Sequence, residues 1–316
     1  MESRRSSTAT MAPSGDEFLR SMAQIRDKLR KRFLRKPLYL DAAHSYELLA
    51  VRELQLEFPE GAAMAWNAAA DVYTNIRRLG AAAENYTKAA RTYMKEELNL
   101  KKLCMPSIED HLINGLECYH RAICTYEKIA EVNKGSEGMA GSLCYEAGSK
   151  LQQLERFGES LWFLERACQK WPESTVLKVE CFLLLAKSQV KLSEFESAEI
   201  TFHELDSLIN AHMERASLEH THQQVQIALV LLAALLAPPE HNLSQAQSAL
   251  FERYKGEPDE HMEIEVFLTL KAILECCKER CFEKMSQHYD ILIEFCDETS
   301  RLILDELVKT VCPYHC

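Results

Sequence analysis

The sequence has few of the residues that interrupt helices. Of its 316 residues, 10 are glycine and 9 are proline. No stretch alternates apolar and polar residues for long enough to predict a sheet. Charged residues make up 27% and apolar residues 47% of the chain, a balance typical of globular proteins. We therefore expect an all-α protein with long helices.

Long hydrophobic runs are missing as well. The longest run, residues 227–237, stops before Pro238 and Pro239 and is too short for a bilayer, which takes about 20 residues. It predicts a buried helix and no membrane insertion. The first fifteen residues are polar and lack the apolar core of a signal peptide. Their composition predicts a disordered leader over 1–15.

The redox state of the twelve cysteines follows from the missing signal peptide. Without a signal peptide, we expect the chain to stay in a reducing compartment. A chain that stays in a reducing compartment seldom carries a disulfide framework, so we expect all twelve to be thiols. The C-terminal residues 312–316, Cys-Pro-Tyr-His-Cys, contain ligand-type side chains. A structural zinc site needs four ligands with paired spacing, and the second pair is absent. We expect neither a metal nor another cofactor.

Catalytic motifs are absent too. The sequence contains no Gly-rich phosphate loop, nucleophile elbow or His-Glu-x-x-His motif. The formal net charge of −11 argues against general nucleic-acid binding. We predict that the chain is not an enzyme and does not bind nucleic acid.

A helical hairpin pattern is present in residues 64–90. Aromatic and small residues alternate on one face of a first helix, and again on a second helix after a turn containing Gly80: Trp66, Ala70, Tyr73, Ala82, Tyr86 and Ala89. This order is typical of tetratricopeptide-type repeats. Small residues let two helices approach closely, and the aromatic rings fill the gap between them. One hairpin cannot bury its apolar face alone, so further copies are expected.

Three further copies follow along the chain. In their second helices, Ala122, Ser160 and Ala198 take the place of Ala82. The successive steps along the chain, starting from Ala82, are 40, 38 and 38 residues. The copies add Gly148, Ala167, Ala198 and Phe202 to the predicted packing residues. The copy at Ala122 is degenerate, and residues 108–132 can instead form one helix. We predict an all-α, tetratricopeptide-like solenoid of antiparallel helix hairpins.

Proline residues and polar links divide the chain into five segments. We predict a leader over 1–15, N-terminal helices with a basic motif over 16–58, tetratricopeptide-like repeats over 59–212, a short linker over 213–223 and C-terminal capping helices over 224–316. Capping helices are expected because an end repeat must present a polar outer face.

The basic motif lies near the start of the chain. Between residues 26 and 36 seven basic side chains are opposed only by Asp27. An apolar stripe from Phe18 to Phe33 predicts a helix here, which Pro37 ends. Like charges one turn apart repel by about 0.2–0.5 kcal/mol per pair, so we expect an acidic counter-surface. We predict partner binding by Lys28, Arg30, Lys31, Arg32, Arg35 and Lys36. A nuclear-localisation signal and an anionic membrane surface are the alternative interpretations.

The same motif carries a family resemblance. Residues 29–37, Leu-Arg-Lys-Arg-Phe-Leu-Arg-Lys-Pro, follow the start Asp-Glu-Phe-Leu at 16–19, and together they resemble the N-terminal signature of the huntingtin-associated family, also known as the factor VIII intron protein family. Four later segments resemble that family in the same order: the Trp66 hairpin, residues 158–169, residues 184–210, and the apolar run before residues 246–254.

The resemblance implies a non-catalytic helical-repeat subunit that binds huntingtin as a heterodimer and stabilises the arrangement of huntingtin's HEAT-repeat domains. It further implies a link to early endosomes through a Rab GTPase. Cytoplasm is the expected compartment, with early endosomes and the nucleus as additional candidates. The chain departs from the family where a long Pro- and Ala-rich insertion is replaced by the polar link 213–223.

A second class of function stays open. A general tetratricopeptide adaptor would bind short peptide motifs of other proteins in vesicle transport. An adaptor should be a stable monomer when produced alone, whereas a subunit buried in a larger scaffold should aggregate without it.

Overall fold

The computed structural model describes residues 15–30, 37–132, 136–171, 175–211, 218–237, 245–256, 262–279 and 282–311. Fourteen α-helices and no strand lie within these ranges. The predicted fold class, all-α and built of tetratricopeptide-like helix hairpins, is confirmed. The chain divides into two compact units, residues 1–154 and residues 155–316.

Unit 1 holds six helices in chain order. They are α1 Gly15–Leu29, α2 Tyr39–Gln55, α3 Pro59–Asn75, α4 Leu79–Lys102, α5 Asp110–Ala130 and α6 Glu137–Gln153. Each helix packs on the next one along the chain, which is the contact pattern of a helical repeat. The Trp66 hairpin is formed by α3 and α4. The degenerate copy around Ala122 forms one helix, α5.

Unit 2 holds eight helices. They are α7 Phe157–Lys170, α8 Thr175–Lys191, α9 Phe195–Asn210, α10 Glu219–Leu235, α11 Gln245–Arg253, α12 Ile264–Glu279, α13 Phe282–Leu292 and α14 Glu298–Val311. The helices from α7 to α10 pack in chain order, and α14 returns to pack on both α8 and α10. The last helix of the predicted capping segment 224–316 therefore packs on the repeat helix α8 as well as on α10.

The C-terminal part of the predicted linker 213–223 is helical. α10 begins at Glu219, and Leu218 and His222 are buried. The linker prediction is wrong for residues 219–223, where His222 points into the unit: its Nε2 lies 2.9 Å from Asp206 Oδ1. Residues 213–217 lie outside the described ranges.

The same turn joins three pairs of helices. Glu57, Arg77 and Ser193 have φ of 58°, 59° and 61°. The amide of Arg77 donates to the carbonyl of Thr74, and the amide of Arg78 donates to that of Tyr73. This pair of bonds defines a Schellman motif, and Glu57 and Ser193 show the same two bonds. A three-residue turn of this kind brings the next helix back antiparallel.

Gly80 lies outside the turn predicted to contain it. It is the second residue of α4, and nothing lies within 4 Å of the position that a Cβ would take there. The left-handed position of the turn is filled by Arg77 instead, so the glycine is not required by the turn.

The core of each unit is formed by the small and aromatic residues of the pattern. All ten predicted packing residues are buried: Trp66, Ala70, Tyr73, Ala82, Tyr86, Ala89, Gly148, Ala167, Ala198 and Phe202. The division between the units falls between α6 and α7. The two helices of the hairpin predicted at Gly148 and Ala167 therefore belong to different units.

Tyrosines of unit 1 also link helices through their hydroxyl groups. The Tyr73 hydroxyl of α3 donates to Glu47 of α2 at 3.2 Å, and the Tyr86 hydroxyl of α4 donates to Asp71 of α3 at 2.6 Å. Each ring fills a gap between helices while its hydroxyl bonds to a carboxylate on a neighbouring helix. The repeat pattern thus positions polar contacts as well as apolar ones.

Candidate partner-binding surfaces

The N-terminal helix is fixed to unit 1 by its apolar stripe. Phe18 and Ile25 are buried, and the Phe18 ring meets the Phe58 ring edge to face, with ring centroids 5.7 Å apart. A Cβ at Gly61 would lie 2.4 Å from the Phe58 ring, so a residue without a side chain makes room for this contact. α1 ends at Leu29, before Phe33, which lies outside the described residues.

Lys28 forms an ion pair and a hydrogen bond with residues of its own chain. Its Nζ lies 2.8 Å from Asp41 Oδ2 and 2.9 Å from Ser45 Oγ, both on α2. The amide of Leu38 donates to the Lys28 carbonyl at 3.1 Å. Lys28 therefore ties α1 to α2, and the basic segment has a second acidic neighbour besides Asp27.

Arg30 is the remaining described member of the predicted partner-binding set. It lies in a bend after α1, where its Nε is 3.2 Å from Asp27 Oδ1 and its side chain is exposed. Lys31, Arg32, Arg35 and Lys36 lie outside the described residues. Their role stays a prediction.

The outer face of α2 is a surface that the sequence analysis missed. Leu40, Leu48 and Val51 are 41%, 73% and 48% exposed, and their spacing places them on one side of the helix. Leu54 extends this apolar α2 stripe toward the helix end. The opposite side of α2 is buried, so the helix is apolar on two faces. In the sequence of α2, apolar residues recur with helical spacing on both sides of the helix, and this double pattern could have revealed the stripe.

A second candidate surface is a groove of unit 2 between α8 and α9. The groove has a volume of about 680 Å³. Its apolar lining comes from Phe182, Ile200 and Leu208, and charged or ionisable side chains contribute at Lys178, His203 and Glu204. Lys178 Nζ lies 6.0 Å from the centre of the Phe182 ring. A mainly apolar lining with a few polar groups is typical of ligand-binding sites.

The most strongly perturbed carboxylate of unit 1 belongs to a helix-linking network. Glu146 of α6 accepts hydrogen bonds from Arg91 of α4 and from the Tyr119 hydroxyl of α5, and Lys150 Nζ lies 3.0 Å away. Burial raises the pKa of Glu146, but these bonds outweigh it and hold the pKa at about 2. Glu146 is therefore an anion that joins three helices.

An analogous network joins helices of unit 2. Asp206 of α9 lies 2.9 Å from His222 Nε2 and accepts a hydrogen bond from Gln226 at 2.6 Å, both on α10. Arg253 of α11 donates to the side-chain oxygen of Gln226 at 3.0 Å. Burial raises the pKa of Asp206, but the bonds from His222 and Gln226 and the charges of His222 and Arg253 together outweigh burial and lower the pKa. Both networks hold helices together.

No group of three or more His, Cys, Asp or Glu side chains in the described part of the chain is placed to hold a metal ion. Cys276 is buried in α12, while Cys281 and residues 312–316 lie outside the described ranges. None of the helices in those ranges combines the length and hydropathy needed to cross a bilayer.

The fold defines the class of the chain as an all-α helical-repeat protein. No protein-family model matches the sequence, and no curated protein matches it. Among solved structures, the chain is similar to the apo form of RapI, with 12% identity and a TM-score of 0.28 over 94% of this chain and 97% of that one. This likeness is too distant to carry an inference about function.

Proposed function

We propose that the chain is a non-catalytic helical-repeat subunit that binds huntingtin and stabilises the arrangement of its HEAT-repeat domains. The observation that carries a binding role is the α2 stripe, whose side chains Leu40, Leu48 and Val51 are exposed together. Clustered apolar side chains on a surface mark sites of association. The identity of the partner rests on the resemblance of residues 29–37 to the huntingtin-associated family.

A non-catalytic role is supported by the carboxylates with perturbed pKa values. Glu146 and Asp206 each bond to side chains of neighbouring helices, so helix packing accounts for their pKa values. A reacting carboxylate would instead face a cleft that admits a substrate.

Links to a Rab GTPase and early endosomes extend this proposal, with the cytoplasm as the main compartment and the nucleus as a further one. These extensions rest on the family resemblance and on the basic run ending at Lys36. Recovery of an early-endosomal Rab GTPase with the chain from cells, in a form that depends on huntingtin, would test them.

A general adaptor is the second candidate, and the groove between α8 and α9 favours it. Phe182 and Ile200 offer an apolar site for a peptide side chain, with Lys178 at its edge. An adaptor of this kind would bind short motifs from several proteins through the groove and would need no permanent scaffold.

The α2 stripe provides the test of the huntingtin proposal. A variant with Leu48→Glu and Val51→Glu should bind purified huntingtin about tenfold more weakly or worse, because two charges are introduced into an apolar interface. The matched control is Ile264→Glu with Leu268→Glu, which changes two similarly exposed residues of α12. Affinity of the α2 variant equal to that of the wild type would exclude the α2 stripe as the binding surface.

Production of the chain alone separates the two candidates. A huntingtin subunit should aggregate or be degraded without its partner, since the α2 stripe is then uncovered. A stable monomer that binds short peptides through the α8–α9 groove would favour the adaptor instead.

A further inference from the structure

Two buried cysteines of unit 2 face each other. The sulfur atoms of Cys168, in α7, and Cys181, in α8, are 3.1 Å apart. Both residues are thiols in the structure. A disulfide bond is about 2.05 Å long, so the two sulfur atoms have to approach by only about 1 Å to form one.

The surroundings of the two thiols differ. The Cys168 thiol donates to the sulfur of Cys181, and the Cys181 thiol donates to the carbonyl oxygen of Leu164 at 3.2 Å. Cys168 is 6% exposed, whereas Cys181 is 0% exposed. A small oxidant therefore reaches Cys168 first, and Cys181 is placed behind it.

We propose that Cys168 and Cys181 form a disulfide site that responds to hydrogen peroxide, with Cys168 as the residue oxidised first. The Cys168 sulfur attacks one peroxide oxygen and breaks the O–O bond, giving a sulfenic acid and one water. The Cys181 sulfur then attacks the Cys168 sulfur and expels the hydroxyl group, which leaves as a second water with the Cys181 proton. The two thiols lose two protons and two electrons, and the peroxide is reduced to two waters.

The cross-link would tie α7 to α8. It closes a short loop, which removes conformations from the unfolded chain and stabilises the folded unit. Cys181 is followed directly by Phe182, which lines the α8–α9 groove. Oxidation therefore fixes the position of the helix that contributes Lys178 and Phe182 to that groove. This proposal does not depend on the identity of the partner.

Mass spectrometry of the full chain tests the site. The folded protein is treated with hydrogen peroxide, alkylated without reductant and digested. We expect a disulfide peptide joining Cys168 to Cys181. Cys118 is the control, since it is also buried and burial raises its pKa to about 12, so it should remain a thiol.

Two single variants test the order of oxidation. In Cys181→Ser, Cys168 should stop at the sulfenic acid, which dimedone traps. In Cys168→Ser, Cys181 should remain an unmodified thiol. Circular dichroism tests whether each variant is folded. If one variant is unfolded, the disulfide map of the wild-type protein still decides whether the cross-link forms. Absence of the Cys168–Cys181 peptide after peroxide treatment would overturn the site, and dimedone labelling of Cys181 in place of Cys168 would overturn the assigned order.

Discussion

Arg91 of α4 and Glu146 of α6 form a two-pronged ion pair, with Arg91 Nε 3.0 Å from one carboxylate oxygen and Nη2 2.7 Å from the other. The Tyr119 hydroxyl of α5 donates to the same carboxylate. One acidic side chain thus links three successive helices of unit 1. The sequence pattern of small and aromatic residues places these helices side by side, and the ion pair fixes their register.

Glu146→Gln should lower the free energy of unfolding by about 2 kcal/mol at pH 7. This is less than its pKa shift alone would suggest, because Arg91 is 56% exposed and solvent screens the pair. The folded pKa of Glu146, about 2, is below the ordinary value of 4.5. The stabilisation is therefore present above about pH 4.5 and is lost as the pH falls toward 2.

Urea unfolding of both proteins between pH 7 and pH 3 measures this effect. The difference between wild type and Glu146→Gln should shrink steadily below pH 4.5. A difference that stays constant down to pH 3 would mean that the ion pair does not contribute as described.

Trp66→Ala should destabilise unit 1 by roughly 3 to 5 kcal/mol, because removal of a buried aromatic ring leaves a cavity in the helix packing. The measurement is thermal unfolding of the chain in its complex with huntingtin, followed by circular dichroism. Trp162→Ala in α7 is a control, since that ring is 42% exposed. An unchanged melting temperature for Trp66→Ala would show that the repeat register is wrong.

Arg77→Gly should stabilise the chain by about 0.5–1 kcal/mol. Arg77 has a φ of 59° in the turn between α3 and α4, a conformation that costs residues with a Cβ about 1–2 kcal/mol and glycine nothing. The greater freedom of glycine in the unfolded chain offsets part of this gain.

Lys95→Gly is the control for Arg77→Gly. It introduces a glycine at an exposed position in the interior of α4 and should lower the free energy of unfolding by about 1 kcal/mol. Chemical unfolding of both variants gives the comparison. If both variants are destabilised equally, the left-handed turn does not carry the expected strain.

Charge reversal of Arg30, Lys31 and Arg35 together should weaken binding to huntingtin severely while leaving helical content unchanged. Losing one partner of a charge pair at an interface costs about 2 kcal/mol or more. Lys28 is left out because its ion pair with Asp41 ties α1 to α2. Recovery of huntingtin from cells in physiological salt is the readout.

The control for this variant reverses three lysines outside the basic run. Lys150 is unsuitable because it contacts Glu146 and Tyr119. Lys95, Lys102 and Lys128 are exposed and should have much less effect on binding. Equal recovery of huntingtin with both triple variants would assign the basic run to targeting or solubility.

The repeat core could be predicted from sequence because it depends on local spacing. Trp66, Tyr73 and Tyr86 follow a helical period with small residues between them, and each is buried as that pattern requires. The burial of His222 could not be predicted in this way. It depends on Asp206 of α9, which lies 2.9 Å from His222 Nε2.

The candidate surfaces were only partly predictable. The charge of the basic run is visible in the sequence, but the ion pair of Lys28 with Asp41 depends on how α1 packs on α2. The exposure of Leu48 was hidden because α2 also has a buried apolar face. The return of α14 onto α8 and α10 joins segments distant in the chain, and local spacing does not encode such contacts.

We propose that this helical-repeat chain is a subunit bound to huntingtin. Purification of the chain from cells under stringent salt, followed by mass spectrometric identification and quantification of what remains bound, tests it most directly. We predict that huntingtin is recovered in a one-to-one ratio with the chain. Recovery of the chain as a stable monomer without huntingtin would contradict the account.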